Sequence, residues 1–307
     1  MFCLVVRLLN SSLLIMADTL VKALMLDKIQ MDGKSLLIVQ HNDGSPFLHS
    51  LLTQSARQGR KICLVSFNHS VGYYHNVGTR LGWNLNNLLS KKQAVFIGGL
   101  QALKESLRLK NCSNPFDFLF NPSTCPLQTL LLSIKEVISN WVEQPFSLVI
   151  DELDCLLSLG VEPNHIIKFF QCCHSLVQTN LKGSLILSMG VTPSDKEAIQ
   201  CSTLMSHWCD SVITEKGLQT GKSKDLTGSL TVNWNIPPFT EQHFHFKCYD
   251  RGIKMFAPGT AVLWWNHANM EQFPVSFNKL YLIMIYCMIT SNNDIIRTRR
   301  KHSQRMR

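Results

Sequence analysis

The chain has 307 residues, of which 45% are hydrophobic and 17% are charged. These proportions supply enough apolar side chains for a large buried core and exclude a chain that is disordered along most of its length. The formal net charge is +9, but residues 264–307 alone contribute +5 of it. The overall charge therefore does not by itself indicate a nucleic-acid-binding protein.

From residue 34 onwards, short apolar runs alternate with segments whose apolar residues recur at helical spacing. The runs predict buried strands at Lys34–Gln40, Lys61–Phe67, Gln93–Gly98, Phe146–Ile150 and Ser184–Ser188. The helical spacing predicts helices at Phe47–Ala56, Tyr73–Leu81, Leu127–Trp141 and Asn164–Gln178, and a further one that begins at Thr192–Asp195. Residues 110–126 contain three prolines and predict a surface loop.

After this alternation the pattern changes to strands joined by short turns, which predict antiparallel hairpins. These strands are Asp210–Lys216, Gly228–Trp234, His243–Tyr249 and Gly252–Phe256. Alternating strands and helices with wholly apolar strands predict an α/β fold, in which helices cover both faces of a mostly parallel sheet. With the C-terminal hairpins extending one edge, this arrangement resembles the core of a RecA-like ATPase.

A RecA-like ATPase binds triphosphate in a loop between its first strand and first helix, and here that loop lacks the required residues. Residues 41–47 read HNDGSPF, with one glycine and no lysine. Pro46 also lacks the N–H group that a phosphate-binding helix start supplies. The sequence therefore predicts neither a working phosphate site nor a bound nucleotide cofactor, so that the ATPase motifs are degenerate.

The stretch GLQTGKSKD at 217–225 is similar to a P-loop, but only three residues separate Gly217 from Gly221. It also joins two predicted strands, whereas a P-loop joins a strand to a helix. We therefore interpret it as a hairpin loop. The loop carries Lys222 and Lys224, and Lys216 lies just before it. These three lysines contact RNA phosphate or a protein partner, or they belong to a solvated turn without such a role.

The stretch LVIDEL ends a predicted strand in Asp151 and Glu152, which occupy the Walker B position of this fold. In an ATPase the first would hold Mg²⁺ and the second would orient the attacking water. Acidic residues also end buried strands without any such role, and here no P-loop precedes them. We interpret the pair as a degenerate Walker B position in a protein without catalytic residues. A divergent RecA-like ATPase or kinase that uses Asp151 and Glu152 is the alternative hypothesis.

The cysteines and histidines match no zinc module, and the chain contains no C-x-x-C pair. We therefore predict reduced, partly buried thiols and no metal site. Two groups offer candidate ligands, but neither matches a zinc module: Cys201, His207 and Cys209, and Cys172, Cys173 and His174.

The two ends of the chain differ from the middle. Residues 1–15 are apolar but have no basic region before the apolar run, unlike a signal peptide. Residues 264–307 combine the apolar run Leu280–Ile289, which is too short to span a bilayer, with a basic end. We predict an N-terminal extension at 1–15, a RecA-like domain at 16–263 and a poorly ordered tail at 264–307, with no membrane contact. A secreted or membrane-attached protein is a further alternative.

The middle of the chain resembles the Elongator complex protein 6 family. The stretches that carry the resemblance follow the family's order across about residues 16–263. They include DGSPFLHSLL (43–52), KICLVSFNHSVGYYHNVGTRLGWNL (61–85), QAVFIGGLQAL (93–103), LVIDELDCLLSLG (148–160), SHWCDSVITEKGLQTGKSKDLTGSLTVNW (206–234) and FHFKCYDRGIKMFAPG (244–259). Residues 1–15 and 264–307 have no counterpart in the family.

The resemblance implies a RecA-like subunit without a working ATP site and without catalytic residues of its own. It implies assembly with Elongator subunits four and five into a heterohexameric ring. Such a ring supports the catalytic Elongator subunits in modifying wobble uridines of tRNA and is itself implicated in binding tRNA. We accordingly expect a protein that resides in the cytoplasm and the nucleus.

Overall fold

The computed structural model describes most of the predicted RecA-like domain. The described residues are 31–41, 46–99, 102, 115, 116, 118, 126–141, 143–218, 221, 223, 225–237, 239–249 and 252–257. The predicted domain limits at residues 15 and 263 and the predicted tail at 264–307 lie outside them, as does most of the loop predicted at 110–126. Those predictions remain predictions.

Strands and helices alternate in the described part of the chain up to residue 208. The strands are β1 (Lys34–Gln40), β2 (Lys61–Ser66), β3 (Ala94–Gly98), β4 (Phe146–Asp151), β5 (Gly183–Gly190), β6 (Ser211–Lys216), β7 (Gly228–Trp234), β8 (Thr240–Tyr249) and β9 (Gly252–Phe256). The helices are α1 (Pro46–Arg57), α2 (Val71–Arg80), α3 (Leu85–Ser90), α4 (Gln128–Ser139), α5 (Cys155–Ser158), α6 (Pro163–Thr179) and α7 (Lys196–Trp208). None of these helices combines the length and hydropathy that a bilayer span requires.

The described strands form one sheet in the order β3-β2-β4-β5-β1-β6-β7-β8-β9. From β3 to β6 the pairs are parallel, and from β6 to β9 they are antiparallel. The predicted α/β architecture with a hairpin extension is therefore confirmed. One assignment is corrected: β6 is a hairpin strand on one side only, because its other side pairs in parallel with β1, where Leu36 lies opposite Ser211.

Two apolar cores flank the parallel strands, which explains why β1 is apolar along nearly its whole length. Leu36 and Ile38 point to the face covered by α1, whereas Leu37 and Val39 point to the face covered by α6 and α7. Alternate residues of a strand face opposite sides of the sheet, so a strand covered on both sides needs apolar residues at successive positions. Burial of each such side chain contributes roughly 1.5–3 kcal/mol.

The Arg60 side chain, which is 9% exposed, joins several strands at the edge of the sheet where the parallel strands begin. Its Nη2 donates to the Phe146 carbonyl at 2.7 Å and to the Lys182 carbonyl at 3.1 Å. Its Nε donates to Ser147 Oγ at 3.0 Å, and its Nη1 lies 2.5 Å from Asp32 Oδ1. One planar guanidinium group therefore satisfies polar atoms that precede β1, β4 and β5 or lie within them.

Candidate functional site

The opposite edge of the sheet, where the parallel strands end, is where open α/β folds place their ligand sites. At the end of β1, His41 Nδ1 lies 2.9 Å from the Val191 carbonyl. Residues 42–45 lie outside the described part of the chain. The helix that follows begins at Pro46, and Phe47 is fully buried with its ring 5.0 Å from that of Phe246. A buried phenylalanine thus stands in the first turn of α1, where a P-loop places its lysine and hydroxyl residues.

Asp151, the predicted Walker B aspartate, is the last residue of β4 and is only 5% exposed. Its Oδ1 accepts a hydrogen bond from Ser188 Oγ at 2.5 Å, and its Oδ2 accepts one from the hydroxyl of Tyr74. Tyr74 is fully buried, and its hydroxyl in turn accepts from Ser66 Oγ at 3.0 Å. Burial and the adjacent Asp151 carboxylate raise the pKa of Tyr74, so it remains a donor. Both oxygens of the carboxylate are therefore engaged by hydroxyls of this same chain.

Glu152, the second acidic residue of the predicted pair, lies in the left-handed backbone region at φ +54°. Its backbone N–H donates a hydrogen bond to Ser188 Oγ at 2.8 Å, and this bond stabilises the unfavourable backbone conformation of Glu152. Its side chain approaches His69, with Oε1 3.4 Å from Nε2. The carboxylate that would orient a water molecule in an ATPase is here directed to an imidazole.

Two histidines and two tyrosines cover Asp151, and we call them the histidine–tyrosine cap: His49, His69, Tyr73 and Tyr74. The ring of His69 stacks on Tyr73 with 4.0 Å between centroids, and His49 Nε2 lies 3.1 Å from the Tyr73 hydroxyl. Tyr74 packs edge-on against Tyr73 at 5.2 Å. Burial lowers the pKa of His49, although the Asp151 carboxylate opposes that shift. The cap therefore places an aromatic cluster over the site.

Sequence reasoning missed this cap. The stretch FNHSVGYYHN contains all its members except His49, and it follows β2, the neighbour of β4 in the sheet. A pair of adjacent tyrosines in the first turns of a helix at this edge was the available signal, because such a helix starts close to the end of the neighbouring strand.

Asp154 is a further acidic residue that the sequence reasoning did not select. Its Oδ1 accepts from the backbone N–H of Gly190 at 2.6 Å. Burial raises its pKa, and the hydrogen bond from Gly190 acts in the opposite direction. This carboxyl group ties the turn after β4 to the end of β5 and completes a site whose acidic groups are all bound to the fold.

The structure does not bring the considered metal ligands together. Cys201 and Cys209 are buried in the core, where burial raises their thiol pKa values to about 11 and about 12, whereas His207 is exposed. On α6, Cys173 and His174 are buried and Cys172 is exposed. In the part of the chain that the structure describes, no group of three or more His, Cys, Asp or Glu side chains is arranged to hold a metal ion.

The loop with the P-loop-like sequence joins β6 to β7, two antiparallel strands, as predicted from its neighbours. Lys216 is the exposed last residue of β6. Lys222 and Lys224 lie outside the described residues, so their predicted contact with RNA or a partner remains a prediction.

Glu215 and Gln40 lie opposite each other where β6 and β1 end, and each is only 3% exposed. Within the described residues, Glu215 Oε2 and Gln40 Oε1 have no hydrogen-bond partner. Burial raises the pKa of Glu215 to about 7. A carboxyl group with a pKa near neutrality ionises as pH rises through about 7, and the buried charge then destabilises the fold.

We expect Glu215→Gln to stabilise the protein by about 1–2 kcal/mol at pH 8 and to have little effect near pH 4. The stabilising contribution of the protonated carboxyl is complete below the pKa of the unfolded chain and is lost as pH rises through about 7. The amide keeps the polar group uncharged, although its own missing partners offset part of the gain. Urea denaturation at several pH values measures this, and an unchanged pH dependence of stability in the variant would contradict it.

The fold and the geometry of the site together define the class of protein to which this chain belongs. A solved KaiC-like protein from Pyrococcus horikoshii is 13% identical and superposes with a TM-score of 0.51, covering 73% of this chain and 90% of that one. At this identity the likeness shows the fold alone. The chain is a RecA-like domain. At the positions of the P-loop and of the Walker B aspartate, its residues and their contacts differ from those that an ATPase requires.

The chain belongs to the Elongator complex protein 6 family, because residues 19–254 match the family model described as Elongation complex protein 6. Elongator complex protein 6 of Mus musculus is 30% identical over 247 residues, which cover 76% of this chain and 93% of the mouse protein. The Homo sapiens protein of the same name is 26% identical over 250 residues, with the same coverage. The family resemblance in the sequence is therefore confirmed.

Proposed function

We propose that this protein is a non-catalytic structural subunit of the Elongator complex. In this proposal it joins Elongator subunits four and five in a heterohexameric accessory ring, which supports the catalytic subunits in modifying wobble uridines of tRNA. The proposed sites of action are the cytoplasm and the nucleus. Family membership supports the complex, since relatives that align over most of the chain carry the name Elongator complex protein 6.

The observation that carries the non-catalytic role is the engagement of Asp151. Its two carboxylate oxygens accept from Tyr74 and Ser188, and the cap covers it. A Walker B aspartate must instead be accessible to the water shell of Mg²⁺. Binding of a nucleotide–Mg²⁺ complex here would require breaking buried hydrogen bonds, and the sequence supplies no P-loop lysine to compensate.

The decisive experiment is co-expression of the full chain with subunits four and five, followed by mass measurement of the purified particle. We expect a particle that contains all three chains, and we expect the chain alone to aggregate, since ring interfaces of this fold bury large surfaces. Isolation of the chain as a stable monomer that binds neither subunit four nor subunit five would contradict the proposal.

Nucleotide binding separates this proposal from the alternative of a divergent ATPase or kinase. We expect no change in the melting temperature of the assembled protein at millimolar ATP–Mg²⁺, because Asp151 is already bound within the fold. The matched control is Asp151→Asn, which removes the charge at the same position. A thermal shift in the wild type that disappears in this variant would favour the enzyme.

A further inference from the structure

A groove of about 410 Å³ lies between α7 and the strands β1, β6 and β7, and we call it the α7 groove. Its lining includes Val39 and Val212, which belong to the apolar core on the side of the sheet that α6 and α7 cover. Tyr74 belongs to the core on the α1 side, so the sheet separates the α7 groove from the histidine–tyrosine cap. The volume falls within the range of ligand-binding clefts, which makes the groove a second candidate site on this fold.

Short side chains on α7 explain why this groove is not filled. Ser202, Thr203 and Ser206 line it, and with Ile199 they form one stripe at helical spacing. Their hydroxyl groups donate to carbonyl groups of the helix itself, at 2.9, 2.7 and 2.7 Å. The hydrogen atoms of these hydroxyls are therefore already used, and the oxygens remain available as acceptors.

The floor of the α7 groove repeats a pair of one apolar and one polar side chain. Val39 lies opposite Thr214, and Val212, two residues before Thr214, lies opposite Asn233. All four line the groove and share one face of the sheet, since alternate residues of a strand point to the same side. The two pairs are therefore about 6.4–6.8 Å apart along the strands. An extended peptide repeats its side chains on one side at the same distance.

The side-chain amide of Asn233 is a polar group that the fold leaves unused. Its Oδ1 is buried and has no hydrogen-bond partner among the described residues. A buried acceptor without a donor destabilises a fold, so stability does not explain this asparagine. Asn235, which also lines the groove, differs because its Nδ2 donates to the carbonyls of Ser206 and Cys209 at 2.9 and 2.8 Å. An amide such as that of Asn233 can bond both the N–H and the C=O of a peptide chain.

The lining of the α7 groove, as far as the structure describes it, contains no Asp, Glu, Lys or Arg, and its one titratable residue is His207. Glu241, which lies opposite Asn233 on β8, is 60% exposed and pairs with His243 at 3.6 Å. The groove therefore offers no counter-charge to a phosphate, a carboxylate or an ammonium group, and burial of such a charge without a partner is costly. These features favour an uncharged ligand.

We propose that the α7 groove binds an extended, uncharged segment of another polypeptide. The backbone of the segment bonds the Asn233 amide, and two of its apolar side chains, two residues apart, contact Val39 and Val212. Ile199, which is 38% exposed beside the hydroxyl stripe, extends the apolar contact. About three residues of extended chain span about 10 Å, so the bound segment is short. The inference goes beyond the proposed function, because the chemistry of the groove defines the segment whichever protein supplies it.

The test titrates the full chain, co-purified with its partner subunits, against the capped peptide trifluoroacetyl-Val-Gly-Val-amide, whose fluorine NMR signal reports binding. We expect saturable binding in the micromolar to millimolar range, which is usual for a ligand of this size. The matched peptides carry Lys-Gly-Lys and Glu-Gly-Glu between the same caps. We expect both to bind at least about fivefold more weakly, because the groove supplies no counter-charge. Equal or tighter binding of either charged peptide would overturn the proposal.

Variants of the groove locate the bound peptide. We expect Asn233→Ala to weaken binding of the neutral peptide by about fivefold, because it removes the hydrogen bonds to the peptide backbone. With a peptide whose nitrogens are methylated, the same variant should have no further effect. Ser206→Leu fills the groove and should weaken binding at least about tenfold. The control is Leu204→Ala, which truncates an exposed residue of α7 outside the lining. An equal loss in this control, or no loss in the two groove variants, would contradict the proposal.

A ring subunit that supplies the segment would already fill the groove in the purified particle, so occupancy is tested separately. A benzophenone amino acid in place of Thr203, at the exposed rim of the groove, reports what lies there. We expect either saturable peptide binding or a crosslink to an uncharged segment of subunit four or five, and Asn233→Ala should weaken whichever is observed. Neither result, or a crosslink to RNA or to a charged segment, would overturn the inference.

Assembly and peptide binding are measured separately, so the two proposals fail in different ways. If the wild-type chain forms no particle with subunits four and five, the proposed function fails, and the same titration of the full chain alone still tests the groove. If a particle of the expected mass shows neither peptide binding nor the crosslink, only the inference about the α7 groove fails.

Discussion

Replacement of Arg60 by methionine is expected to lower the free energy of unfolding by about 3 kcal/mol. The methionine side chain fills a similar volume, so the loss reports on the guanidinium contacts more than on a cavity. In the variant the Phe146 and Lys182 carbonyls and the Ser147 hydroxyl lose a charged donor, and Asp32 loses its ion pair with Arg60. Urea denaturation of the full chain measures the change.

The matched control is Arg57→Met, three residues earlier in the chain. Arg57 is exposed and, among the residues that the structure describes, makes one hydrogen bond, to the Leu81 carbonyl at 3.3 Å. Its replacement should change stability by less than about 0.5 kcal/mol, as for most surface substitutions. Equal destabilisation by the two variants would show that the Arg60 contacts do not stabilise the fold beyond an ordinary surface arginine.

The second large effect is expected at the covered Walker B position, where Tyr74→Phe should destabilise the protein by about 2–3 kcal/mol. The substitution removes one hydroxyl and leaves the ring packing intact. It deprives the buried Asp151 carboxylate of one of its two hydroxyl donors and leaves the Ser66 hydroxyl without its acceptor. The lost free energy of unfolding is that of leaving one oxygen of a buried carboxylate without a hydrogen-bond donor. Chemical denaturation measures this loss.

Two comparisons make this prediction specific. Tyr73→Phe removes the neighbouring hydroxyl, which is 3.1 Å from His49 on a partly buried side chain, and should cost less than about 1 kcal/mol. Adding Asp151→Asn to Tyr74→Phe completes a double-mutant cycle, and we expect a coupling energy of at least about 1 kcal/mol between the two residues. Additive effects would indicate that Tyr74 and Asp151 do not depend on each other.

Strands that are covered on both faces of the sheet were predictable from the sequence, because such strands are apolar at successive positions. The run Lys34–Gln40 is apolar because both sheet faces are covered, and its predicted limits agree with β1. The short helix α3, with the sequence LNNLLS, was not predicted, because six residues give too little periodicity. The parallel partner of β6 was also missed, because the hydrophobic pattern of a strand does not show which strand lies beside it.

The candidate site was predictable in what it lacks and not in what it contains. The absence of a P-loop can be seen in the sequence HNDGSPF, because this stretch contains no lysine. The donor to Asp151 is not visible, because Tyr74 lies 77 residues away in sequence. Only the register of β2 with β4, which sets Ser66 opposite Asp151, brings the start of α2 to the carboxylate. Contacts between distant segments of this kind require the fold.

The position of β1 between β5 and β6 has a consequence for biosynthesis. Lys34 pairs with Ser184, so the polypeptide must be extended by 150 residues before the first partner of this strand is translated. At about 5–20 residues per second, the ribosome takes roughly 8–30 s over that length. During this interval the seven-residue apolar segment KSLLIVQ lacks both of the strands that flank it in the folded sheet. Pairing of this strand in the sheet therefore waits until β5 has been translated.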